Sequence, residues 1–125
     1  MERFYETLHD ECGVRLPVPG EQDWEICAVV YQRTGEYIAF YEQHAAETTA
    51  YEKDLLITMI VQGVEENLTY ANDMAESMRL WELAKAIIIR DRHTRTVFYW
   101  SCIGEELSEC WLVTPYMREL LWMIQ

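Results

Sequence analysis

No stretch of this 125-residue sequence is apolar for long enough to cross a bilayer. Its longest apolar runs, such as residues 26–31, fall far short of the roughly 20 residues a spanning helix needs. The opening MERFYETLHDEC has no basic stretch leading into an apolar one, so export is not indicated and the expected compartment is the cytoplasm. Glycine occurs five times and always singly, which leaves no GxGxxG and no P-loop for a phosphate. GxSxG, CxxC, HxxxH and HExxH are absent as well. His9 and Cys12, three apart on a helix, could offer two ligands to zinc, but a site needs at least one more from the protein. No metal or cofactor is therefore expected, and none of the serines or cysteines sits in the context of an activated nucleophile. Catalysis is not the expected role.

Basic residues are scarce: Lys and Arg number 10 against 22 Asp and Glu, a formal net charge of −12. Such a balance repels phosphate backbones and anionic membrane surfaces, so direct binding to nucleic acid or to a membrane is excluded as a leading role. Disorder is excluded by the opposite abundance. Half the residues are apolar and 13% aromatic, ample to offset chain entropy in one compact domain over 1–125. Cys12, Cys27, Cys102 and Cys110 could form two disulfides, but a reducing cytosol predicts free and mostly buried thiols. The sequon at Asn67 carries no weight without secretion.

Hydrophobic spacing sorts the chain into elements. Phe4, Tyr5, Leu8 and Cys12 recur at helical spacing, which predicts a first helix over 2–12 ahead of the PVPG break at 17–20. Two runs rich in Val, Ile, Tyr and Phe then flank Arg33 to Glu36, with Gly35 able to supply a tight turn, and predict a β-hairpin. Thr49 and Glu52 form a capping-box signature for a helix from about 48 to 67, and a further helix is expected over about 72–85. Residues 86–90 and 96–102 flank a second turn at 91–95, read as another hairpin. Thr114 before Pro115 opens a terminal helix whose apolar character makes a homodimer through it conceivable. The expected fold is α+β: two antiparallel β-hairpins, able to join as one four-stranded sheet, packed with about four helices in the order α-ββ-α-α-ββ-α. The halves at 28–42 and 86–100 resemble each other in pattern, a weak sign of duplication.

Charge is unevenly spread. Between residues 34 and 77 the acids Glu36, Glu42, Glu47, Glu52, Asp54, Glu65, Glu66, Asp73 and Glu76 face one base, Lys53, whereas half of all bases fall within 79–95. Carboxylates along a helix, a turn and a second helix can occupy positions that phosphates would take in a protein groove. The expected function is therefore a non-catalytic acidic inhibitor that occludes a basic, nucleic-acid-handling partner protein. In class this is a nucleic-acid mimic of the anti-CRISPR or anti-restriction kind. Its expected contact set is Glu65, Glu66, Asp73 and Glu76, flanked by Glu47, Glu52 and Asp54, with Tyr70 as an aromatic anchor. Two rivals stand beside it. One is an immunity or antitoxin protein with a single cationic toxin partner. The other is a small enzyme or ligand-binding domain, which would require a concave pocket where His9, His44 or His93 meets a cysteine or carboxylate.

Overall fold

The computed structural model describes residues 2–124, and among these there is no β-strand. The expected α+β fold with two hairpins is thus corrected to an all-helical one. Seven α-helices follow in order: α1 (Glu2–Cys12), α2 (Trp24–Cys27), α3 (Thr34–Gln43), α4 (Ala50–Tyr70), α5 (Met74–Asp91), α6 (Thr94–Ser101) and α7 (Thr114–Leu121). Short 3-10 turns lie at Tyr31–Arg33 and Leu107–Glu109.

Neither expected hairpin forms, and the runs that become α3, α5 and α6 do so for the same reason. In the first, Thr34, Tyr37, Ile38 and Tyr41 are buried while Ala39 is exposed, which is a 3.6-residue period and not the alternation a strand would bury. In the second, the buried stripe Leu80, Trp81, Ala84, Ile87 and Ile88 carries α5 straight through the residues read as a strand. Thr96, Val97, Trp100 and Ser101 give α6 its own inward face. The β-propensity of Ile, Val, Tyr and Phe yields to burial on a helical stripe. The break at 91–95 joins two helices. Arg92 takes the left-handed conformation (φ 54°) that ends α5, and α6 begins at Thr94.

The chain divides between Gly63 and Val64 into two compact units, with α4 contributing residues to each. In the first, Phe4, Leu8 and Cys12 bury one face of α1, which packs against α3. Trp24 is buried, and its Nε1–H donates to the Arg15 carbonyl at 2.8 Å, holding the loop that follows α1. Tyr37 is fully buried with its hydroxyl satisfied by Val30, accepting from the amide at 2.9 Å and donating to the carbonyl at 3.2 Å. At the start of α4 the capping box forms as expected. The Glu52 amide donates to Thr49 Oγ1 at 3.1 Å, and the Thr49 amide donates to Glu52 Oε1 at 2.9 Å.

In the second unit, α6 packs on α7. The Trp100 and Trp111 rings lie 4.6 Å apart, and Trp81 meets Tyr116 at 5.8 Å. Arg118 ties the loop after α6 by donating to the carbonyls of Ser101, Cys102 and Glu105. That loop is closed by a disulfide between Cys102 and Cys110, which corrects the expectation of four free thiols. Of the remaining pair, Cys12 is buried and Cys27 is exposed, at the end of a short helix and not inside a strand. α7 shows one buried face, Thr114, Met117 and Leu120, while Trp122 just beyond it is 85% exposed.

Candidate functional site

The first unit contains a concave pocket of about 380 Å³. It is built where the outer side of α1, the end of α3, the following turn and the first turn of α4 meet. Arg3 and Phe4 come from α1, Phe40 and His44 from the end of α3, Glu47 from the turn and Glu52 from α4. The α1 register explains this placement: with Phe4, Leu8 and Cys12 inward, Arg3 and Thr7 fall one helical step to the side. Phe4 and Phe40 meet edge to face at 6.3 Å, and the His44 ring lies over Phe40 at 4.2 Å.

His44 caps the end of α3 with each ring nitrogen facing a carboxylate. Nε2 is 3.0 Å from Glu11 Oε1, and Nδ1 is 3.2 Å from Glu47 Oε2. Those two partners, Glu11 first, raise its pKa above the ordinary 6.5 against the opposing effect of partial burial. Both contacts therefore favour the imidazolium over the neutral ring. Glu52 is 7% exposed, and its Oε2 makes no hydrogen bond to a described residue. Arg3 likewise forms no ion pair and donates no side-chain hydrogen bond within the described residues.

The other histidines are placed differently. His9 Nδ1 is 2.9 Å from the Val14 carbonyl, and His93 is buried at the start of α6. Cys12 faces the Glu36 carbonyl at 3.7 Å, so His9 and Cys12 are not brought together. Burial and, behind it, Glu36 and Glu11 push the Cys12 thiol up to about 11, which keeps it protonated. Among the described residues no group of three His, Cys, Asp or Glu is placed to hold a metal ion.

Members of the acidic contact set also make bonds within the chain. Glu65 receives the backbone N–H groups of Val113 at 2.9 Å and Leu112 at 3.0 Å, pinning the approach to α7. Asp73 is the N-cap of α5, accepting from the Glu76 amide at 3.1 Å. Glu76 pairs with Arg79 at 2.7 Å, and that partner lowers its pKa. Glu52 serves the capping box and Glu47 serves His44. Glu66 and Asp54 are half-buried on α4, Tyr70 at its end is 66% exposed, and all three engage other groups of the chain. Glu47, Glu52 and Asp54 belong to the first unit, the other five to the second.

Uncommitted acid lies elsewhere. Glu2, Glu6 and Asp10 are exposed at i, i+4 and i+8 on the outer face of α1, and form no pair with any described residue. The sequence already marks this first helix as acidic and exposed, with Cys12 facing the core, but the longer acidic run supplies the expected contact set. The Glu11–His44 pairing joins residues 33 apart, and no local pattern announces it. In the second unit Glu105, Glu106 and Glu109 are exposed in the disulfide-closed loop beside exposed Ile103 and Leu107. Comparison with protein-family models, with curated proteins and with solved structures finds no match to this chain.

Proposed function

We propose that this protein is a non-catalytic acidic binding protein that occludes a basic surface of a partner, the partner class being a nucleic-acid-handling protein such as a nuclease. The observation that carries the reading is the carboxylate stripe Glu2, Glu6 and Asp10 on α1, exposed and forming no ion pair with any described residue. Like charges at i,i+4 cost a helix about 0.2–0.5 kcal/mol per pair. Asp10 in the last turn also faces the negative end of the helix dipole. A face kept at that cost suits a cationic surface that relieves it. The first unit holds twelve acids against four bases, so its own side chains leave a large surplus. That surplus steers a basic partner and raises its on-rate.

The contact groups proposed are thus the α1 stripe, with the exposed acids of the 105–109 loop as a second patch. The eight residues singled out from sequence act mainly as caps and pairs. Among the described residues no helix is long and apolar enough to cross a membrane. A cytoplasmic protein, as expected from sequence, would hold Cys102 and Cys110 as thiols, whereas a chain that keeps them bonded works in an oxidising compartment. The test is retrieval of the tagged protein from its host. A basic protein should be retained at low salt, released at high salt, and lost when Glu2, Glu6 and Asp10 are changed together to Lys. Retention indifferent to both salt and the triple change would overturn the reading.

A further inference from the structure

We propose that the pocket of the first unit is a binding site for a free α-amino acid with an apolar side chain. The inference is independent of the partner reading, which rests on Glu2, Glu6 and Asp10, none of which lines the pocket. Charge is its first support. In a unit with three times as many acids as bases, Arg3 nonetheless pairs with no described residue while lining a pocket. Its planar fork of donors is built to take a carboxylate in two parallel hydrogen bonds.

The pocket also presents the opposite charge, on different elements. Glu47 has given one oxygen to His44, and the buried Glu52 keeps Oε2 without a hydrogen-bond partner among the described residues. No buried side-chain oxygen among the described residues lacks a partner, so Oε2 reaches solvent and is open to a charged donor, which an ammonium group supplies. A simple anion would be repelled by Glu47 and Glu52, and a simple cation by Arg3. A zwitterion satisfies both. Between them Phe4 and Phe40, with His44 over the Phe40 ring at 4.2 Å, offer apolar and aromatic surface for a side chain. A volume of about 380 Å³ lies near the small end of ligand pockets, room for an amino acid and not for a dinucleotide.

Calorimetric titration of the full chain tests this. The probes are L-phenylalanine and L-leucine, beside 3-phenylpropionate and phenethylamine, each of which lacks one of the two charges. Saturable binding of the amino acids is expected, with either half-ligand weaker by about tenfold or more, as loss of a charged hydrogen bond implies. Arg3→Gln should weaken L-phenylalanine to the same degree and leave phenethylamine unaffected. Because Arg3 is exposed and unpaired, the variant keeps its urea midpoint. No saturation by either amino acid at millimolar concentration, equal binding of a half-ligand, or indifference to Arg3→Gln overturns the proposal. None of those results touches the salt-dependent retention of a basic partner.

Discussion

His44 shows how one side chain can make the stability of the first unit depend on pH. Its carboxylate neighbours Glu11 and Glu47 raise the folded pKa above the ordinary 6.5. The folded state therefore binds the proton more tightly than the unfolded chain. That contribution is complete below about 6.5 and disappears as pH rises through the folded value. The urea midpoint of the wild type should fall over this window, and His44→Gln should lack that step. An identical pH profile in both proteins would show that the two contacts are not energetically coupled to folding. Glu65 makes a different case. Its carboxylate holds two backbone N–H groups far along the chain, so Glu65→Ala should cost about 1–3 kcal/mol in urea denaturation. A change near zero would mean those amides are served as well by water.

At the scale of elements, much of the helical framework was legible and the hairpins were not. α1 occupies the residues its Phe4, Leu8 and Cys12 spacing predicts, and the Thr49–Glu52 signature marks the start of α4. These are local signals, set by a stripe or a cap. α3 was misread because Tyr37, Ile38, Phe40 and Tyr41 are all buried, which blurs the polar face that usually discloses a helix and leaves β-propensity as the loudest cue. Gly63 carries a related lesson. It weakens a helix by propensity, yet a Cβ there would overlap the Thr34 side chain. Gly63→Ala should therefore destabilise the protein by roughly 1–3 kcal/mol through overpacking. Helix propensity alone predicts a gain of about 1 kcal/mol, so the sign of the shift in urea midpoint decides between the two.

On the scale of the whole molecule, the site was legible only as a sum. A net charge of −12 can be read directly, but which carboxylates are spent cannot, because capping and pairing are decided by the fold. Glu65, Asp73 and Glu76 look like an open acidic run and turn out to cap a backbone, start a helix and pair with Arg79. Glu2, Glu6 and Asp10 look like an ordinary wet helix face and remain uncommitted. The pocket draws its lining from residues up to 49 positions apart, from Arg3 to Glu52, beyond the reach of any spacing rule. The central claim, that the surplus acid on α1 serves a cationic surface, is tested most directly by the dissociation constant of the retrieved partner over a salt series. Affinity should fall steeply as salt rises, and the slope should flatten when Glu2 and Glu6 become Gln and Asp10 becomes Asn. A slope that is shallow from the outset, or unchanged by the substitutions, would contradict the account.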